Sequence, residues 1–255
     1  MSASLKRINK IATHRVKITP TIRAWLAGHP EGVGIETEEE AELMVRLLMI
    51  PEEGSRAGAF HPSGLTRCQR EQLFGFYGDS KDEGYSHGAQ LQNIFNDGTW
   101  RHARWQLMLT KLGILHSTEV PVNIPSRRLT GSMDGQGTDK HGEEFFFELK
   151  GTSISLAKLE KEGALPAHIF QVQAYLAASG LKEAIIIYES KMNQDWIEII
   201  VERDEEVIAE ILAILDDLNE HVDNMTLPDM LPDCKAKTGD EYANCAYRRT
   251  CEVAG

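Results

Sequence analysis

The chain has 255 residues, 42 % hydrophobic and 26 % charged, a length and balance that can bury a core without disulfide staples and that exclude collagen-like and wholly disordered classes. No apolar run reaches the roughly 18 residues that span a bilayer. The N-terminal stretch is basic without an apolar segment, so a cytoplasmic protein with no membrane role is expected. Its 27 basic and 39 acidic residues give a net charge of −12, which argues against a protein that coats nucleic acid through bulk charge.

Residues 1–30 carry Lys6, Arg7, Lys10, Arg15, Lys17 and Arg23 and no acidic residue, so this arm either touches a phosphate backbone or is a solvated terminus. Residues 36–50 read as a short amphipathic helix stopped by Pro51, and 51–64 as a glycine- and proline-bearing loop. Thr66 to Tyr77 reads as helix with Cys68 in its first turn, followed by a polar loop over 78–88. A long helix is expected over 89–112, with Leu91, Phe95, Trp105, Leu109 and Leu112 on its apolar side; Gly98 and His102 fill the intervening places of the same stripe.

The period then changes. Residues 117–124, 128–138 and 144–150 read as strands, the last two as an antiparallel hairpin around a turn at 139–143. Helices are expected over 153–163 and 166–179, strands over 184–189 and 196–202, and an acidic helix over 204–222. The tail from Leu227 to Gly255 is rich in Pro, Cys and polar residues. This order predicts an α/β (α+β) fold, a sheet flanked by helices.

Several residues can carry chemistry. Asp134 ends one strand of the hairpin, and Glu148 and Lys150, two apart on the next, share a face. Converging carboxylates hold a hard divalent cation such as magnesium or manganese, which polarises a phosphodiester; a nearby lysine orients water or stabilises developing charge. The plain alternative is a solvated Glu–Lys pair on an ordinary strand. His102 is either a ligand or a packed histidine. Gln171 and Tyr175 share a helix face and either serve the same centre or pack on the sheet. Cys68, Cys234, Cys245 and Cys251 lack the short knuckles of common zinc sites, so an iron–sulfur cluster, a zinc and free thiols are all open.

Taken together, Gly98 to His102 (GxxxH), Gly131 to Asp134 (GxxD), Glu148-Leu149-Lys150 (ExK) and Gln171 to Tyr175 (QxxxY) resemble the RecB-like branch of the PD-(D/E)xK nucleases, in that family's order. One cysteine before these motifs and three after them resembles its iron–sulfur members, among them CRISPR-associated spacer-acquisition nucleases, the AddB nuclease domain and related phage exonucleases. In those proteins the second and third cysteines sit close together, whereas ten residues (235–244) separate Cys234 from Cys245 here.

The resemblance implies a restriction-endonuclease-like mixed sheet, with N- and C-terminal segments joined by a four-Cys cluster. It divides the chain into an extension at 1–60, a helical part at 61–97 bearing Cys68, a nuclease core at 98–226 and a cluster-binding tail at 227–255. It implies metal ligation by His102, Asp134, Glu148 and the Leu149 carbonyl, catalysis by Lys150 with Glu148 and Asp134, and substrate support from Gln171 and Tyr175. The four cysteines would hold a [4Fe–4S] cluster, with zinc as the alternative.

The implied activity is Mg2+- or Mn2+-dependent hydrolysis of DNA at ends or in single strands, in recombination, repair or phage replication. A CRISPR adaptation nuclease and a non-catalytic DNA-binding scaffold subunit are the alternatives. No GxxxxGK[ST] phosphate loop is present, so a helicase, recombinase or integrase partner and a homo-oligomer remain open.

Overall fold

The computed structural model describes residues 12–13, 16–49, 56–85 and 88–255. Lys6, Arg7, Lys10, Arg15, Pro51 and parts of the two loops expected over 51–64 and 78–88 therefore lie outside the described residues. The strands are β1 (Ala12–Thr13), β2 (Leu115–Ile124), β3 (Leu129–Thr138), β4 (Glu144–Thr152), β5 (Glu183–Ser190) and β6 (Trp196–Glu202). They form one mixed sheet in the order β1-β6-β5-β4-β3-β2, antiparallel throughout except for the parallel pair β4–β5.

The central strands β4 and β5 are apolar on both faces, as strands covered on both sides must be. Phe145, Phe147, Leu149, Ile185 and Ile187 turn to one face, where they pack with Trp105, Met108 and Leu109 of α4 (Ala89–Lys111) and Ile18 and Ile22 beside and within α1 (Thr19–Gly28). Phe146, Ile186 and Tyr188 turn to the other, under α6 (Pro166–Ser179) and α7 (Glu205–Asn224). The alternation also assigns Glu148 and Lys150 to this second face. Helices α2 (Glu38–Leu48), α3 (Gln69–Tyr77) and α5 (Leu156–Glu162) surround the sheet.

Three local differences from the sequence reading have physical causes. Helix α3 begins one residue after Cys68, which is its N-cap and not a first-turn residue. In α4 burial begins at Arg101: Leu91 and Phe95 are 38 % and 47 % exposed, because the first turns run past the sheet that buries Trp105 and Leu109. The basic N-terminal segment contributes Lys17 and Arg23 to pairs within the protein. Lys17 Nζ lies 2.5 Å from Glu183 and 3.0 Å from Asp139, and the Arg23 guanidinium covers the Trp196 ring.

The N-terminal strand and helix were not expected from local pattern. Helix α1 has no side-chain cap of its own; the buried Glu198 carboxylate of β6 accepts from the amides of Lys17 at 2.7 Å and Thr19 at 2.8 Å. Glu198→Ala leaves these amides unpaired and is expected to cost about 1–3 kcal/mol, read as a lower urea midpoint with unchanged slope; an unchanged midpoint would remove Glu198 as the anchor.

The tail forms α8 (Pro232–Ala236), α9 (Gly239–Ala243) and α10 (Arg248–Ala254) and packs against α3. Phe74 and Tyr247 meet with ring centroids 5.4 Å apart. Asp82 caps the start of α10 through the amides of Arg249 at 2.6 Å and Thr250 at 3.1 Å.

Candidate active site

The β3–β4 ladder runs from Thr138↔Glu144 to Gly135↔Phe147. Continued by one residue, this register sets Asp134 opposite Glu148. There the strands part, and the Leu149 amide donates to Asp134 Oδ2 at 2.7 Å. His102 of α4 reaches the same oxygen from Nδ1 at 3.2 Å. On the other side, Lys150 Nζ lies 2.6 Å from Glu148 Oε1 and donates to Gln171 Oε1 at 3.0 Å. Gln171 Nε2 donates to Glu148 Oε1 at 3.0 Å and approaches the Tyr175 hydroxyl at 3.4 Å. Helices α4 and α6 thus bring their groups to one point where the sheet opens.

The six side chains singled out by sequence for this centre (His102, Asp134, Glu148, Lys150, Gln171 and Tyr175) are brought together, and Leu149, singled out for its carbonyl, stands between Glu148 and Lys150 with its amide on Asp134. Tyr175 is placed differently from a base-stacking residue. It is 5 % exposed, with its ring edge-on to Phe146, so only its hydroxyl serves the centre. Gly131 makes this possible: a Cβ there would lie 3.0 Å from both Tyr175 Cε1 and Pro62 Cδ. At Gly98 a Cβ would meet nothing within 4 Å, so the turn of helix beside His102 keeps open space.

The electrostatics follow from two buried carboxylates. Burial, and then the Asp134 charge, push the Glu148 carboxyl up to about 7. Burial pushes Asp134 upward too, but His102, the Leu149 amide and Lys150 outweigh it and hold it below its ordinary value. Burial opposes the charged forms of His102 and Lys150, yet Asp134 and Glu148 respectively raise both. Burial and the Glu148 charge raise the Tyr175 phenol, which stays protonated.

Three further residues belong here that sequence did not indicate. Glu119 of β2 adopts a left-handed backbone with φ of 49°, unusual for a side chain of this size. Its carboxylate accepts from Gln106 Nε2 at 2.7 Å and from Ser132 Oγ at 3.1 Å. The same Gln106 group, 1 % exposed, also donates to the Asp134 carbonyl at 2.6 Å, tying Glu119 to the centre. His168 lies three residues before Gln171 on α6; burial, then the Lys150 charge, hold it neutral with a pKa lowered to about 4. Only an acid–glutamine or His-Gln-Tyr spacing on paper could have suggested them, and neither is distinctive.

Among the described residues no three His, Cys, Asp or Glu side chains are placed as a ready cage for a metal ion. The donor chemistry of the centre nonetheless fits a hard divalent cation. Two carboxylates and an imidazole converge, Glu148 Oε2 is buried with no hydrogen-bond partner, and the Lys150 ammonium partly balances the pair. The four cysteines gather in a second place, between the start of α3 and the tail. All four are free of disulfides, and Tyr247 donates its amide to Cys245 Sγ at 3.4 Å. Burial raises the Cys234, Cys245 and Cys251 thiols, and each is raised further by neighbouring members of the same set, including Cys68.

No protein-family model and no curated protein matches the sequence. Solved structures match in fold. The alkaline exonuclease LHK-Exo from Laribacter hongkongensis aligns over 67 % of this chain and 90 % of its own, at 17 % identity and a TM-score of 0.49. LHK-Exo in complex with dAMP aligns over 72 % of this chain and 93 % of its own, at 18 % identity and a TM-score of 0.51. A phage-related exonuclease from Haemophilus somnus 129PT aligns over 66 % of this chain and 94 % of its own, at 13 % identity and a TM-score of 0.46. At these identities the likeness is one of fold. The LHK-Exo complex carries it: a mixed sheet flanked by helices, as expected from the order of elements, in the restriction-endonuclease-like form that the motif resemblance implied.

Proposed function

We propose that the chain is a divalent-cation-dependent exodeoxyribonuclease of the PD-(D/E)xK class. The observation that supports this most directly is the meeting of His102, Asp134, Glu148 and Lys150 where β3 and β4 part, with one oxygen of Glu148 buried and unpartnered. The fold shared with the LHK-Exo complex agrees with it. Asp134, Glu148, His102 and the Leu149 carbonyl would hold Mg2+ or Mn2+. When bound, such an ion supplies electrophilic stabilisation of the phosphodiester under attack.

The protein's own groups do the rest. Lys150 presents its ammonium to the attacking water or to the charge growing on the phosphate. Gln171 holds that ammonium in place, and Tyr175 buttresses Gln171 through its hydroxyl. The test is hydrolysis of end-labelled single-stranded and duplex DNA with manganese or magnesium. Release of short products from ends supports the reading and gives the polarity. Binding without cleavage under both metals would replace it with a non-catalytic DNA-binding subunit.

We further assign Cys68, Cys234, Cys245 and Cys251 to a [4Fe–4S] cluster with a structural role. Four free thiols close enough that Cys234, Cys245 and Cys251 are each raised by neighbouring members of the group, shared between the start of α3 and the tail, are a soft donor set that fits iron–sulfur or zinc. A group bound only by the folded protein stabilises it, so loading would clamp the tail to α3. Anaerobically purified protein is expected to be brown and to hold iron and acid-labile sulfide, and Cys251→Ala to be colourless with lower soluble yield. A colourless wild type carrying zinc would replace the cluster by a structural zinc, and a fully coloured Cys234→Ala would remove Cys234 from the ligand set.

A further inference from the structure

His168 lies three residues before Gln171 and seven before Tyr175, in the same stripe of α6, but takes no part in the hydrogen bonds around Glu148. Its partner is Tyr188 of β5. The parallel register sets Tyr188 directly beside Lys150 of β4, on the face that α6 covers. The His168 and Tyr188 rings lie 5.6 Å apart between centroids, and His168 Nδ1 lies 2.7 Å from the Tyr188 hydroxyl. Contacts thus run from the strand of Lys150 through Tyr188 to the imidazole.

These contacts fix which ring nitrogen carries the proton. Tyr188 is wholly buried, and its hydroxyl already accepts the Leu165 amide at 3.0 Å. A hydroxyl has one proton to give. Were Nδ1 also a donor, the phenol proton would be left buried without an acceptor. Tyr188 therefore donates to Nδ1, and the neutral ring keeps its own proton on Nε2. Burial raises the Tyr188 phenol, so it holds its proton, and burial with the Lys150 charge keeps the imidazole neutral. The Nε2–H meets no acceptor among the described residues, and on this half-buried side chain it is open to solvent.

A donor fixed in one orientation near an ammonium suits an oxygen anion. With Nδ1 engaged by a buried phenol, the ring has no ready place for a second proton, so it serves as a fixed hydrogen-bond donor and not as a general acid. We propose that His168 is a substrate contact: its Nε2–H donates to a non-bridging phosphate oxygen of the nucleotide strand bound beside the Lys150 ammonium. This rests on the nuclease reading and adds a residue to its substrate site.

The test is a pair of amide substitutions in the full, cofactor-loaded chain. In His168→Asn the side-chain oxygen stands where Nδ1 stands and keeps the Tyr188 proton paired, but no donor reaches the place of Nε2. In His168→Gln an amide N–H reaches the place of Nε2, and the acceptor at Nδ1 is lost. His168→Asn is expected to keep its melting temperature and to hydrolyse end-labelled DNA with manganese about tenfold more slowly, as for loss of one hydrogen bond to a charged group. His168→Gln is expected to melt lower and to retain most of the rate. Rates that follow the melting temperatures, His168→Gln no faster than His168→Asn, or both variants within twofold of wild type would each overturn the contact.

A second readout needs no turnover. In protein carrying isotope-labelled histidine, the His168 ring, assigned by its loss in either variant, is expected in nuclear magnetic resonance spectra as the Nε2–H tautomer. Its Nε2 resonance is expected to shift when oligothymidylate is added with calcium, a hard cation of the same oxygen preference, in place of manganese. The Nδ1–H tautomer or an unmoved Nε2 would overturn the contact. The nuclease reading fails separately. A chain whose Nε2 shifts but which hydrolyses nothing with manganese or magnesium keeps His168 as a phosphate contact and loses the nuclease. One that hydrolyses DNA while Nε2 stays unmoved does the reverse.

Discussion

Lys150→Ala is expected to abolish DNA hydrolysis while leaving the fold intact. The ammonium is the one mobile positive charge held between Glu148 Oε1, at 2.6 Å, and Gln171 Oε1, at 3.0 Å. A preorganised donor aimed at charge that develops in the transition state is worth on the order of 100–1,000-fold in rate, and Gln171, the other group hydrogen-bonded to Glu148 Oε1, is neutral. Folding has less at stake. Lys150 lies at the end of the β4 stretch that meets solvent, with its side chain 21 % exposed, and Glu148 Oε1 keeps its hydrogen bond from Gln171 after the lysine is removed.

Lys150→Arg restores charge but not a compact, rotatable ammonium, and is expected to recover little. Gln171→Ala acts through Lys150 as a positioning change and is expected to lower the rate less, by about tenfold, in line with loss of one hydrogen bond of about 1.5 kcal/mol to a charged group. Initial rates on end-labelled DNA with manganese, beside melting curves for each variant, decide the matter. Lys150→Ala activity within a few-fold of wild type would take the lysine out of the chemistry.

The parts of this centre that were legible in the sequence share a physical basis. Glu148 and Lys150 fall on one face because strand period is two, and a five-residue turn fixes the register that sets Asp134 against them. Gln171 and Tyr175 are one helical turn apart, so finding one locates the other. What was not legible depends on contacts far apart in the chain. Helix α1 rests on a carboxylate 179 residues away, and no local cap announces it. Glu119 reaches the centre only because its backbone turns left-handed, which a glutamate does not advertise.

The apolar stripe of α4 marked a face correctly but not its extent, since periodicity records which side of a helix is apolar and not where the sheet beneath it stops. The ten residues between Cys234 and Cys245 gave no sign of the short helices α8 and α9 that fill the tail, or of the packing of Cys245 and Cys251 with Phe74 of α3.

Glu189→Ala is expected to be the most destabilising single change outside the apolar core. Glu189 of β5 is wholly buried and is the hub of a charged cluster. Arg101 Nη1 donates to it at 2.6 Å, Arg104 Nη2 donates to its two oxygens at 2.6 and 2.7 Å, and the Trp105 indole N–H donates to Oε2. Arg104 can turn to water, but Arg101 is nearly buried, retains only Asp97 at 2.7 Å, and already has an unpaired Nε. Removing one partner of a buried pair typically costs about 3–5 kcal/mol, which at about 2–4 °C per kcal/mol for a chain of this size is a melting shift on the order of 10 °C.

The effect should also reach the centre, because Arg101 precedes His102 on α4 and its clamp on β5 sets where that imidazole stands. Activity is therefore expected to fall at temperatures well below melting. Arg101→Met/Glu189→Leu separates the two causes: without a stranded charge, much of the stability is expected to return, while α4, no longer pinned by a directional contact, should still hold His102 less well. A melting point for Glu189→Ala within a degree of wild type would mean that the cluster is decoration and that Trp105 and Leu109 alone seat the helix.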